Sequence, residues 1–502
     1  MEPAGRWQRW LDFLARPSRR ACALAVIIVV VLGSGYRLSQ YLPNRSFWRD
    51  EAYLLLNIMD KPAGQLMGRL DHAQTAPPLF LLIERGMYLK FGAAEWALRL
   101  VPVTCGILGL CLFAVLAWKV LQPGPAFWAV LFFAFCDELV FHAISVKQYS
   151  GDAMTTAILL LLGTAVLRSP RPGMAFLGLA VAAMGMVWFS LTTVFVFAGL
   201  SLALLPAACR WPKRGLAVWL VGNALLGLSL ALLYHTILRR QADPWLFEFW
   251  AKDIADYSRP WQIPGFILRE TYRLCEVPYR AVGPLTALLV LAGGWFLWRE
   301  RRRTLLGILV GPILMTIVAA CLRQYPYHGG RVTVFLLPCV MILMAFGLQA
   351  AMSLSGWRGR LWWLAGLPML LIGVGEAVPH VFNPMGRSQI RPAVQYIQAH
   401  RQSGDAIYLI GEGRKPEAPA ITGKMLELYC YWRHPEAPVE ETMPADVQQI
   451  PYRRFWVTFS FLPRHGGTKY LDPLLNQIRQ MADEKDRLVV KEGGAAFLFE
   501  KR

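Results

Sequence analysis

Acidic residues are scarce in this 502-residue chain: 33 Asp and Glu stand against 52 Lys and Arg, a formal net charge of +19. That balance would suit nucleic acid, but no nucleic-acid motif accompanies it, and much of the excess falls in short connectors between apolar runs. Cysteine is present without pattern. The nine residues include no CxxC pair and no zinc spacing, so neither a disulfide framework nor a zinc-binding module is indicated. Cys22, Cys105, Cys111, Cys136, Cys209, Cys321 and Cys339 fall in or beside apolar runs, where Cys packs as a small hydrophobe. Only Cys275 and Cys430 lie elsewhere, and nothing supports a bridge between them. Charged residues make up 17% of the chain against 55% hydrophobic ones, which excludes an ordinary water-soluble enzyme.

What fills the chain is a series of apolar windows of the length that crosses a bilayer, about 20 residues each. We place about eleven spans, roughly at 21–36, 98–118, 126–142, 152–167, 174–189, 191–208, 216–237, 281–298, 304–321, 332–352 and 361–379. Alternate connectors carry Lys119; Arg168 and Arg171; Arg210, Lys213 and Arg214; Arg299, Arg301, Arg302 and Arg303; Arg358 and Arg360. The short connectors between them hold mainly Lys147, Arg323 and Arg331. By the positive-inside rule the first set is cytoplasmic, and an odd span count then exports the C-terminus. The first apolar run follows basic residues as a secretory signal does, but every later span fits an uncleaved first span. Before it, Trp7, Trp10, Leu11 and Leu14 recur at helical spacing, as in an interfacial helix.

Two domains follow: a helical membrane domain at 1–380 and a small exported α/β domain at 381–502. In the first, the exported loop 37–97 holds amphipathic helices at Ala52–Asp60 and Leu79–Lys90, the second opened by Pro77-Pro78. A second long loop, 238–280, concentrates Trp245, Phe247, Phe249, Trp250, Tyr257, Trp261 and Phe266. These suit the headgroup level, or the wall of an acceptor groove. The second domain reads as helix 389–402, strands 406–410 and 455–461, helix 470–482 and strands 488–490 and 496–499. It contains no Gly-rich phosphate loop and no nucleophile elbow, which suits a lid or docking module.

The chain is organised around Ser46-Phe47-Trp48-Arg49-Asp50-Glu51-Ala52-Tyr53, about fifteen residues beyond the first span. Adjacent carboxylates at a membrane rim are costly unless water, cations or a polar ligand meet them. Two readings remain open on the residues alone: an active-site pair, or a solvated loop whose Asp caps the following helix. Asp137 and Glu138 sit within an apolar run, where ionisable groups usually face a bundle interior.

Phe47-Trp48-Arg49-Asp50-Glu51-Ala52-Tyr53 resembles the "DE" motif of GT-C glycosyltransferases that use lipid-linked sugars. Ala76-Pro77-Pro78-Leu79-Phe80 is similar to their "PPL" stretch, and Glu95 with Arg99-Leu100-Val101-Pro102 to the segment leading into their second span. The groups resembled are the protein O-mannosyltransferases and the lipid A aminoarabinose transferases, including the RgtA-to-RgtD-like proteins. Two places depart from the pattern. Thr75-Ala76 stand where many relatives have a His, and Lys147-Gln148-Tyr149 stands in place of Arg-x-Tyr.

The resemblance implies a polytopic α-helical GT-C enzyme of a bacterial inner membrane, serving glycan or cell-envelope biosynthesis. Its donor would be a polyprenyl-phosphate sugar, and its acceptor a lipid, glycan or protein hydroxyl on the extracytoplasmic face. It assigns the general base to Asp50, with Glu51 beside it. Lys147, Tyr149, Arg323, Tyr327, His328 and Arg331 become the expected donor-phosphate ligands, and the two glycines after His328 let backbone approach a ligand. The competing reading of the arginines is snorkelling to lipid headgroups. Asp71, His72 and Asp152 are the expected sugar or acceptor contacts. No metal or other cofactor is assigned; a divalent cation held by Glu51 with His328 is the alternative. A flippase or transporter, or a non-catalytic polysaccharide-assembly partner, would account for a multi-pass chain too. A transporter would more naturally show inverted repeats and helices broken at the midplane, whereas here the polar residues gather at one membrane face.

Overall fold

The computed structural model describes residues 18–211, 214–353, 366–386, 389–410, 420–422, 426–432, 435, 438–440, 442–444, 447–459, 472–490 and 493–502. The interfacial helix expected around residues 7–14, and the connector residues Lys213, Arg358 and Arg360, lie outside the described residues. The chain divides into two compact units. A helical unit comprises Met1–Leu42, Ala63–Glu84 and Arg99–Pro384; a C-terminal unit comprises Pro43–Pro62, Arg85–Leu98 and Met385–Arg502. The stretch 46–53, grouped with residues 1–380 in the sequence, thus packs with the C-terminal residues.

Seven helices among the described residues are long and apolar enough to cross a membrane: Arg19–Tyr41, Glu95–Val120, Tyr149–Val166, Gly215–Gln241, Arg280–Arg299, Arg303–Cys321 and Arg331–Met352. Pro123–Ala134 and Asp137–Ala143 form an eighth if the pair, bent by 51°, is one span. The apolar helices Pro172–Met186, Thr193–Ala208 and Leu367–Phe382 are shorter. A count of eleven requires the bent pair and all three short helices to cross as well. The fold is polytopic and α-helical, as expected.

The bend has a local cause. The chain turns extended at Cys136, which frees carbonyls in a region where no water can satisfy them. Arg37, fully buried on the first helix, donates to Ala134 C=O at 2.8 Å and to Phe133 C=O at 3.1 Å. Elsewhere, glycine seams let helices meet backbone to backbone. A Cβ added at Gly347 would lie 2.1 Å from the Leu289 carbonyl oxygen, and one at Gly293 1.9 Å from that of Leu343. Helices Gly283–Arg299 and Leu337–Met352 therefore pack at the short range that small residues permit, which replaces the hydrophobic drive missing in lipid.

The described residues of the C-terminal unit contain seven strands: β1 Ala406–Ile410, β2 Ala420–Thr422, β3 Val439–Glu440, β4 Thr442–Pro444, β5 Arg454–Phe459, β6 Ala482–Val489 and β7 Ala495–Lys501. Five form a mixed sheet in the order β3-β1-β5-β7-β6, and β2 pairs with β4 separately. Strand alternation divides the core in two. Tyr408, Phe455, Val457, Phe497 and Phe499 pack with Leu474, Leu475 and Ile478 of the helix Asp472–Met481. Ile407, Leu409, Trp456 and Leu498 pack on the other face with Ile390, Val394 and Ile397, two of them on the helix Arg391–His400. The result is a sheet covered on both faces.

Candidate active site

Within the helical unit, turns that are distant in sequence meet at the end opposite the arginine-rich connectors. Lys147 is buried, and its Nζ donates to Gln74 Oε1 at 2.8 Å. Gln74 in turn donates to the His72 carbonyl at 3.0 Å. Asp71 and His72 themselves are exposed, and His72 adopts a left-handed backbone (φ 59). The same loop is anchored on its other side, where Ala76 N–H donates to Gln241 Oε1 at 3.2 Å and Leu79 N–H to Trp188 C=O at 2.9 Å.

Tyr149 opens the helix Tyr149–Val166, and its ring meets His142 edge-on at 4.7 Å. Asp152, one turn on, is buried and accepts the Ser190 hydroxyl at 2.6 Å. The turn 323–331 comes to the same helix end. Tyr325 donates to Val332 C=O at 2.8 Å and tilts against Phe195 at 4.9 Å. Burial pushes its phenol well above the usual range, and the neighbouring Asp152 and Tyr149 add to the effect. Tyr325 of that turn thus lies beside Tyr149 and Asp152, on the helix that Lys147 precedes by two residues.

The aromatic loop supplies faces for the two arginines of that turn. Arg323 lies over Phe247 at 4.7 Å, and Arg331 over Trp250 at 5.2 Å, the geometry of cation–π attraction. Tyr327 is fully buried, with its hydroxyl 2.9 Å from Thr271 Oγ1. His328 faces two carboxylates, with Nδ1 3.6 Å from both Asp253 Oδ1 and Glu270 Oε2. Sequence reasoning missed Asp253 and Glu270. No spacing connects them to residue 328, and the aromatics of their loop drew the reading instead.

Asp50 and Glu51 belong to the C-terminal unit and lie in the first turn of helix Arg49–Asp60. That position suits carboxylates because the backbone N–H groups there face outward without intrahelical partners. Glu51 is fully buried and accepts the Trp48 N–H at 3.1 Å, the reciprocal half of a capping box. Asp50 beside it is half-buried. The segment is held by Glu95, another residue of the quoted motifs. Its Oε1 accepts from Arg391 at 2.6 Å and from Tyr431 at 3.0 Å, while Tyr431 accepts the Phe47 N–H at 2.5 Å.

No family model matches the sequence, and no curated protein sequence does. Solved structures do match. ArnT from Cupriavidus metallidurans, in the apo state and bound to undecaprenyl phosphate, superposes with a TM-score of 0.51 at 12% identity, covering 95% of this chain and 97% of that one. AglB, the oligosaccharyltransferase of Archaeoglobus fulgidus in complex with an inhibitory peptide and a dolichol-phosphate, gives a TM-score of 0.45 at 11% identity over 75% of this chain and 58% of its own. With the ArnT match extending through both compact units, the chain has a GT-C type membrane fold.

Proposed function

We propose that this chain is an integral-membrane glycosyltransferase. It would move a sugar from a polyprenyl phosphate to a hydroxyl of a lipid, glycan or protein on the extracytoplasmic face of a bacterial inner membrane. The observation that carries the reading is the GT-C fold over 95% of the chain, shared with an ArnT also solved with undecaprenyl phosphate bound. In this reading Asp50 accepts the proton of the acceptor hydroxyl. The oxygen forms its bond to the anomeric carbon as the sugar–phosphate C–O bond breaks, and the electron pair leaves with the polyprenyl phosphate. A base so placed contributes roughly 10²–10⁴ in rate. Lys147 and Arg331 stabilise the departing phosphate from a partly dehydrated site, where cations act more strongly than in water. Asp71, His72 and Asp152 meet the sugar or the acceptor, and Glu51 sets the first turn on which Asp50 is carried.

The purified chain in vesicles, given undecaprenyl-phosphate sugars and candidate hydroxyl acceptors, tests this. Release of undecaprenyl phosphate together with sugar attachment is expected, falling about 10²–10⁴-fold in Asp50→Asn with donor binding retained. A carrier would move the intact donor across the bilayer and be indifferent to the substitution, which would refute the proposal.

A further inference from the structure

Asp253 ends the short turn Ala251–Asp253, Glu270 lies in the helix Ile263–Glu276, and His328 lies in the turn before Gly329-Gly330. Each offers one ligand atom, and the three atoms lie within 4.8 Å of one another. The separations decide what the cluster is built for. His328 Nδ1 stands 3.6 Å from Asp253 Oδ1 and 3.6 Å from Glu270 Oε2, beyond hydrogen-bond distance. That nitrogen is nonetheless buried and makes no hydrogen bond. An imidazolium placed to bridge the two carboxylates would be drawn in to about 2.8 Å. Two atoms sharing a tetrahedral ion at about 2.1 Å stand about 3.4 Å apart, close to what is seen.

The surroundings fix this arrangement in advance. Tyr327 N–H donates to the Asp253 carbonyl at 2.7 Å, and the Tyr327 hydroxyl meets Thr271 at 2.9 Å. Gly329 presses on the helix, since a Cβ there would fall 2.6 Å from the Arg273 carbonyl carbon. Glu270 Oε1 is held by Arg269 at 2.7 Å and Arg273 at 3.0 Å, which turns Oε2 toward the histidine; Arg273 reaches Oε2 only at 3.3 Å. Glu270 is 1% exposed, Asp253 15% and His328 35%, so a fourth position is open to water on the histidine side.

We propose that Asp253, Glu270 and His328 bind a divalent transition-metal ion of the Zn²⁺ class, which pins the loop 251–276 to the turn 326–330. One imidazole and two carboxylates without a thiolate suit such an ion. The inference rests on these three residues and not on the transfer reaction proposed above.

The test uses the full chain in detergent, stripped with chelator and titrated with Zn²⁺. Metal per chain is read by plasma mass spectrometry and stability by thermal unfolding. One retained Zn²⁺, a higher Tm when loaded, and an affinity at least about tenfold weaker in His328→Ala and Asp253→Asn are expected, with His142→Ala unchanged. Should the variants not fold, X-ray absorption at the zinc edge of the wild-type chain is expected to show a nitrogen and oxygen shell with a single imidazole. No bound Zn²⁺, equal affinity in folded variants, or a shell of sulfur or several imidazoles would overturn the proposal.

Discussion

The two ends of the helical unit use positive charge in different ways. At the arginine-rich end, Arg168 donates to the Lys119 carbonyl and Arg302 to that of Val120, while Arg302 and Arg303 lie over Phe346 and Trp298. Those carbonyls close a helix, where the backbone presents partial negative charge. Any flexible cation can serve such partners. Arginines rest on aromatic faces at the other end too, Arg323 on Phe247 and Arg331 on Trp250, but there Lys147 also engages one particular side chain of another loop, and Arg269 and Arg273 hold a buried carboxylate. Charge set against helix-end carbonyls serves the backbone; charge set against a particular side chain ties loops together.

Substitutions can break or sharpen that contrast. The largest effect on stability is expected for Glu270→Ala. Removing a carboxylate that is 1% exposed and faces two arginines and a histidine leaves cations without their partner. The arginines are 55% and 45% exposed, so water relieves part of the cost, leaving about 2–3 kcal/mol, read by denaturant or thermal unfolding in detergent. Tyr325→Phe is intermediate. It removes the bond to Val332 C=O and is expected to cost about 1 kcal/mol by the same measurement. Arg302→Gln at the basic end should stay within about 0.5 kcal/mol. An Arg302 effect equal to that of Glu270 would erase the distinction.

The fold was legible in the sequence wherever one physical signal sufficed. Apolar length marked the helices, and short apolar runs marked β1, β5 and β7, which are buried on both faces of the sheet. The helix expected at Ala52–Asp60 begins at Arg49, because its first turn holds polar residues that amphipathic patterning does not count. Strand β6 starts at Ala482 and not at Leu488: Asp483, Glu484, Lys485 and Asp486 lie on an edge strand with a wet face, where hydrophobic alternation is lost. The bend at residues 134–137 was not legible, since the carbonyls it frees are satisfied by Arg37 from another helix.

The candidate site was legible in part. Lys147, Tyr149, Asp152 and the turn 323–331 were singled out, and they gather at one end of the helical unit. Their partners Gln74, Ser190, Phe247 and Trp250 were not identified as such, because pairing between loops is a property of the folded chain. Asp253 and Glu270 stayed hidden for the same reason.

Binding of undecaprenyl phosphate to the purified chain tests the contrast between the ends most directly, with Lys147→Ala compared against Arg302→Gln. Losing one charge-assisted contact from the phosphate is expected to weaken binding about 10–100-fold in Lys147→Ala, while Arg302→Gln stays within about twofold. Equal losses, or a loss confined to Arg302→Gln, would contradict the assignment of the lipid phosphate to the Lys147 end.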